Sequence, residues 1–492
     1  MKLPEYDDWD ATEMADKVRN REVSSKELME AALQRIEARN PALNAVVRTV
    51  ESRARERLPT LPDGPLTGVP FLLKDLKLQL AGTVTSNSTR LDESRVAQGT
   101  SVLAQRYEDA GLVVLGKTNT PEFGIMGITE PDLHGPARNP WNTDCTPGGS
   151  SGGAASAVAA RMVPVAHGGD GGGSIRIPAS CCGLFGLKPT RGRVSMAPFA
   201  GESWSGFVQE HVLARSVRDS ALLLDIAAQP TPGEPYAAPA VSRPFIEEVG
   251  VDPGKLKIAV TESSLYGTYT HDDCVAAVRD AADLLRDLGH ELVEAVPPFP
   301  KEEMIRAYFI VVCTGISRFV ETTAERAGVK PRAKDFEVPT WLMAQIGWSS
   351  SASKLLWAQG TIQRVSRDVA GFFETYDGFL TSTIARPPAR VGEMLPSASE
   401  RFQMRLLQTL SFRPILERAL DEIGGEKIAY TPNTQLFNQT GQPAMSVPLF
   451  WNQEGLPIGV QIAGRFGEEA LLLRLASQLE EARPWANRKP AL

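Results

Sequence analysis

Three short stretches hold residues able to do acyl-transfer chemistry. The first is CTPGGSSGGAASAVAA, residues 145–160, with Ser150 and Ser151 paired among glycines. The second is DGGGSIRIPAS, residues 170–180, with Ser174 behind a glycine run. The third is GVPFLLKD, residues 68–75, which puts Lys74 at the end of an apolar run. A serine hydroxyl attacks a carbonyl well only when a base takes its proton. Consecutive glycines carry no Cβ, so several backbone N–H groups can turn toward one point and hold an oxyanion. Asp170 and Arg176 flank the glycine run and could pair to hold it closed. A glycine-rich structural turn with a surface ion pair would look the same.

The GGSSGG run has competing readings. A flexible linker lies between domains, yet an Ala-rich helix former and the apolar Val163-Pro164-Val165 follow at once. A phosphate loop needs GxxxxGK[ST] or GxGxxG, and this stretch has neither. Gly148 to Gly152 fits G-x-S-x-G formally, but that mechanism needs an acid and then a histidine further on. None of His134, His167, His211, His271 and His290 sits in such a motif. A lysine can replace histidine if burial keeps it neutral, against a reference pKa of about 10.4. Lys74 is the lysine that ends a buried-looking strand. Taken alone, that stretch better fits a strand-end lysine reaching solvent.

The elements that must position these residues alternate. Ser24 and Glu27 form a capping box for a helix that Asn40-Pro41 closes. Apolar runs at 68–73, 112–115 and 162–166 read as buried strands, with helices at about 101–110 and after GGSSGG. A helix capped by Ser216 ends near Ala228, and a proline-rich crossing covers 229–244. Strand, helix and strand follow at 256–260, 272–288 and 291–296, then a helical stretch over 301–370, a strand near 377–380 and a last helix at 468–482. This is α/β organisation.

Composition is globular: 492 residues, 42% hydrophobic, 23% charged, net charge -7. The acidic balance without a Lys/Arg cluster argues against nucleic-acid binding. No run suits a membrane span, and no secretory signal opens the chain. The odd set of five cysteines reads as buried or surface thiols in a reducing, cytoplasmic setting. No HxxxH or HxxE cluster suggests a metal.

Taken together, Lys74, the Ser150/Ser151 pair and Ser174 resemble the amidase signature family. The spacings, 76 residues from Lys74 to Ser150 and 24 from Ser150 to Ser174, look like that family's. So do GKTNTPEFG, RNPWN, GLKPTRGRVS, FNQTGQPAMSVP and GLPIGVQIAG. Within the family, TEPDLHGPARNPWN and PVAHGGDGGGSIRIPAS are similar to the branch of 6-aminohexanoate cyclic dimer hydrolases. The resemblance implies a single α/β/α unit around a mixed, twisted sheet. Its parts would be an N-terminal helical region 1–65, a signature core 66–228, a variable substrate-side region 229–429 and a returning core segment 430–492.

The resemblance also implies the roles. Ser174 is the nucleophile, Ser150 the bridging serine on a cis peptide, and Lys74 the base. The N–H groups of Gly171, Gly172, Gly173 and Ser174 form the oxyanion hole, with Ser151, Asp170 and Arg176 in support. Many family members carry a non-glycine residue where Gly171 stands; the backbone N–H remains. Gly124, Ile125 and Met126, after GKTNTPE, are expected to line the substrate, although core packing explains them equally. The expected substrate is a small amide, cyclic or linear, with no cofactor and no metal. Carbamate or ester hydrolysis is the alternative. A glutamine-dependent amidotransferase subunit is disfavoured, because the segment 307–328 lacks the YDGxxxG-like stretch of that branch. A homodimer is left open.

Overall fold

The structure, a computed structural model, describes residues 3–397, 399–404 and 428–491. Its strands are β1 (Val46–Thr49), β2 (Pro70–Lys74), β3 (Val113–Thr118), β4 (Val165–Asp170), β5 (Phe185–Lys188) and β6 (Gln209–Ala214). The later ones are β7 (Lys257–Val260), β8 (Glu291–Glu294), β9 (Gly378–Ser382), β10 (Ala444–Trp451) and β11 (Pro457–Gly464). They form one eleven-stranded sheet in the order β1-β3-β2-β4-β6-β5-β10-β11-β9-β7-β8. Pairing is mixed: β2 runs parallel to β3 and β4, and β7 parallel to β8 and β9. The contacts of β6 with β4 and β5, and of β10 with β5 and β11, are antiparallel.

Side chains alternate across a strand, so a sheet covered on both faces feeds two cores. That is seen here. Ile258 and Leu380 join one core with the helices Asp272–Asp287 and Glu469–Ala482, while their neighbours Ala259 and Phe379 join another. The second core belongs to three helices: Lys301–Arg326, Val338–Ser349 and Ala352–Thr375. No helix of the described residues is long and apolar enough to cross a membrane.

Two sequence expectations need correction. The strand expected at 162–166 forms at Val165–Asp170 and runs through His167, Gly168 and Gly169. Glycine is a poor strand former in isolation, but β2 on one side and β6 on the other hold this segment in register. Pro41 does not close its helix, which continues from Ser25 to Leu43. In the last turn proline forfeits one hydrogen bond and no more. Asn44, left-handed at φ 46°, is the stop, and its N–H donates to Asn40 O at 2.7 Å. The Ser24–Glu27 capping box is present in both directions. Residues 405–427, inside the expected 229–429 segment, lie outside the described residues.

Candidate active site

Parallel pairing of β2 with β4 sets Phe71 opposite Val165 and Leu72 opposite Ala166. The two strands therefore end side by side, and their carboxyl ends carry Lys74 and Asp170. Such an edge is where open α/β sheets place their ligands.

Lys74 is 1% exposed. Its ammonium reaches Ser150 Oγ at 2.7 Å, Ser151 Oγ at 3.0 Å and Gly169 O at 3.4 Å. Among the described residues it makes no ion pair. Burial pulls its pKa down to about 8, against the pull of the Glu210 and Asp170 charges. The peptide between Gly149 and Ser150 is cis. The Ser151 hydroxyl, also on Lys74, lies 3.3 Å from both N and O of Gly169, and the Ser151 N–H donates to Ser174 O at 3.2 Å. The serine pair thus ties Lys74, the end of β4 and Ser174 together.

Asp170 and Arg176 do pair, but in the interior, both 0% exposed. Arg176 Nε and Nη2 each donate to Asp170 at 2.9 Å. Its remaining donors go to Gln461 Oε1 and Asn438 Oδ1, both at 2.6 Å, and to Thr434 O at 3.0 Å. Burial alone would raise the Asp170 carboxyl; Arg176 overrides it and holds the group well below the usual carboxylate range. The surface ion-pair reading is therefore wrong.

The turn between them is crowded from outside. A Cβ on Gly171 would come within 2.8 Å of the Trp204 ring. One on Gly172 would strike the Tyr308 hydroxyl, and one on Gly173 the Thr434 hydroxyl. Gly173 also needs φ 124°, which side-chain-bearing residues avoid. Its N–H donates to Asp170 Oδ1 at 2.7 Å. Among the described residues, the N–H groups of Gly171, Gly172 and Ser174 make no hydrogen bond. They are the donors available to a ligand.

Gly124 packs on this site, since a Cβ there would sit 3.2 Å from Ser150 Oγ. Ile125 packs on the core that holds Phe123 and Phe336, and Met126 on a small cluster of Ile128, Ala389 and Tyr430.

Lys74 is not the only lysine buried in the sheet. Lys117 in β3 and Lys188 at the end of β5 are 0% exposed. Lys117 donates to Thr85 Oγ1 at 2.9 Å and Lys188 to Pro189 O at 2.8 Å. What separates Lys74 is its contact with the serine pair, and no property of the strand alone reveals that. His167 sits behind it. Its Nδ1 accepts the Lys74 N–H at 3.4 Å and its Nε2 lies 3.0 Å from Glu210 Oε2. Burial holds its pKa below the usual histidine range, against the pull of Glu210. Sequence reasoning missed Trp204 and Tyr308, which lie in no motif. It also missed Asn438 and Gln461 as partners of Arg176, although both fall inside quoted motifs. Among the described residues, no group of three or more His, Cys, Asp or Glu could hold a metal ion.

The sheet and this edge define an α/β fold of the amidase signature class. The fold matches the structure of 6-aminohexanoate cyclic dimer hydrolase complexed with substrate, with a TM-score of 0.89 and 35% identity over 98% of both chains. It also matches a bacterial aryl acylamidase of the amidase signature enzymes, with a TM-score of 0.85 and 26% identity over 98% of this chain and 99% of that one. The chain belongs to the Amidase family, which matches residues 27–418 and 426–473. In sequence it is 37% identical to 6-aminohexanoate-cyclic-dimer hydrolase of Pseudomonas sp. (strain NK87), over 100% of this chain and 98% of that protein. It is an amidase, a hydrolase of amide C–N bonds.

Proposed function

We propose that this amidase works through a Ser174–cis-Ser150–Lys74 relay on small amides. The observation that carries the reading is the buried Lys74 ammonium 2.7 Å from Ser150 Oγ, with no ion pair among the described residues to keep it charged. Neutral Lys74 takes the Ser150 proton, Ser150 takes the Ser174 proton, and Ser174 Oγ bonds to the amide carbon. The N–H groups of Gly171, Gly172 and Ser174 hold the oxyanion that develops. Gly173, whose N–H is taken by Asp170, serves by fixing the turn. The relay then runs backward. The proton reaches the amine as the C–N bond breaks, and water cleaves the acyl-enzyme with the same base.

The substrates are cyclic or linear 6-aminohexanoate oligomers or aryl and alkyl amides. The named activities of the similar proteins support this range, as does Gly124 against Ser150. The test is mass spectrometry of products from a panel of cyclic dimer, linear dimer, an anilide, an aryl carbamate, an ester and glutamine. The wild-type protein is expected to cleave the cyclic dimer or the anilide. Ser174→Ala is expected to lower that rate at least about a thousandfold. Full activity in Ser174→Ala would overturn the assignment.

A further inference from the structure

The pairing of β4 with β6 sets Gly169 directly opposite Glu210, and His167 opposite Val212. Side chains two residues apart share one face of a strand. The Glu210 side chain therefore lies over Gly169 and reaches diagonally toward His167. A Cβ on Gly169 would come within 2.5 Å of Glu210 Oε2. Glycine leaves that room, which gives a reason for a poor strand former at this point of β4. Glu210 Oε2 stops 3.0 Å from His167 Nε2.

Both contacts lead to Lys74. Gly169 O accepts from its ammonium at 3.4 Å. His167 Nδ1 accepts from its backbone N–H, also at 3.4 Å. An imidazole nitrogen that accepts carries no proton, so the proton of this ring is on Nε2, the atom next to Glu210. Lys74 is thus held at its backbone and at its head by groups that Glu210 touches.

Glu210 is also the unmatched charge of this site. It is 8% exposed, and among the described residues no lysine or arginine pairs with it. The other carboxylates close to Lys74 are met. Asp170 is paired with Arg176, and Asp75 accepts from Ser86 with His134 3.8 Å away. The cations around Glu210 and His167 are Lys74, Lys77 and Lys117. Lys77 shares a cavity of about 280 Å³ with Glu210 and donates to Ser203 Oγ at 2.6 Å. Lys117 donates to Thr85 and to Leu78 O. The Tyr107 ring lies 6.3 Å from that of His167, and His211 is bonded to Ser220. Burial pulls Lys74 toward its neutral form, and Glu210, ahead of Asp170, pulls it back.

The relay needs such a charge. When Lys74 takes the Ser150 proton it becomes a buried ammonium, while an oxyanion forms on the substrate. The glycine turn answers the oxyanion. A fixed carboxylate behind Lys74 answers the ammonium. The proton stays on Lys74 Nζ, and none passes to Glu210.

We propose that Glu210 is a positioning residue of the relay, holding Lys74 through Gly169 and His167 and stabilising the ammonium that Lys74 becomes. The inference rests on the relay proposed above.

The experiment follows kcat and kcat/KM against pH in Glu210→Gln, on whichever of an anilide and the cyclic dimer the wild-type protein cleaves. In Glu210→Gln the midpoint of the rise is expected about one pH unit lower, and the alkaline plateau about three- to tenfold lower, with KM changed less than kcat. The two profiles then nearly meet on the acid side and part on the alkaline side, which a merely structural loss would not produce. Glu210→Asp is expected to lie between them. An unmoved or raised midpoint in Glu210→Gln, whatever the loss of rate, overturns the proposal. If Glu210→Gln does not fold, Glu210→Asp decides alone: a lowered midpoint supports the proposal and an unmoved one overturns it. If the wild-type protein cleaves neither substrate, the relay reading fails by itself. NMR titration of isotope-labelled lysine side chains then decides the role of Glu210, with Lys74 assigned by its absence in Lys74→Met. A Lys74 midpoint lower in Glu210→Gln than in wild type supports the role, and an unmoved one overturns it.

Discussion

At the scale of single residues, the proposed relay turns on a lysine that must be neutral to act. With its pKa near 8, Lys74 is mostly protonated at neutral pH and gains base character as pH rises. The expected kcat/KM for a neutral amide therefore climbs about tenfold per pH unit below about 8 and levels off above it. A stopped-time assay across that range checks it; a profile falling through about 8 would mean that the protonated lysine is the active form. Much of this residue set was legible in the sequence. The serines and Lys74 lie in motifs with family spacing, and the glycines announce close backbone approach. Their contacts were not legible. Lys117 and Lys188 prove as buried as Lys74 in the structure, and only the fold decides which lysine meets a serine. Trp204 and Tyr308 reach the glycine turn from segments whose sequence carries no mark of it.

At the scale of elements, the loop that leads to Gly124 is fastened to the helix Val338–Ser349 by two carboxyls. Glu122 Oε2 accepts the Glu337 N–H at 2.8 Å, and Glu337 Oε1 accepts the Asp132 N–H at 2.7 Å. Phe123 and Phe336 meet alongside, with ring centres 6.1 Å apart. Burial raises Glu122 to about 7. Burial and the Glu122 charge raise Glu337 to about 8; the N–H of Asp132 opposes the rise, its charge adds to it, and Arg90 opposes it. Both groups thus keep protons in the fold that an unfolded chain has already lost. Their contribution to stability is whole below the ordinary glutamate pKa of about 4.5 and is lost as pH rises through 7 to 8. Glu337→Gln is expected to flatten the fall in Tm between about pH 4.5 and about pH 8; a parallel fall in both proteins would remove the pair from the account. The sequence showed most of the elements and missed their partners. Periodicity and caps located the helices at 25–43 and 217–227 closely. Strands β1, β5 and β6 are short, and β6 holds Gln209, Glu210 and His211, so no apolar run marks it. Pairing with neighbours distant in sequence makes them strands.

At the scale of the molecule, the site is closed by segments more than 260 residues apart in the chain. Arg176 binds Asp170 on one side and Asn438 and Gln461 on the other, all in the interior. Replacing one partner of a buried ion pair leaves the other charge unmet. Arg176→Met is expected to lower unfolding free energy by about 3–5 kcal/mol, read by urea denaturation; a change below about 1 kcal/mol would show that the pair is not what joins the segments.

The sheet order carries the same logic further. β10 and β11 lie between β5 and β9, and the helix Gln435–Thr440 before them supplies Asn438 to the glycine turn. On a translating ribosome, a chain that has already released Lys74, Ser150 and Ser174 is still without the groups that fix Arg176. Asn438 and Gln461 emerge 262 and 285 residues after Arg176. Long-range closure of this kind is slow and comes late. The nascent polypeptide therefore carries the residues of the proposed relay without their full support until that later segment has been made.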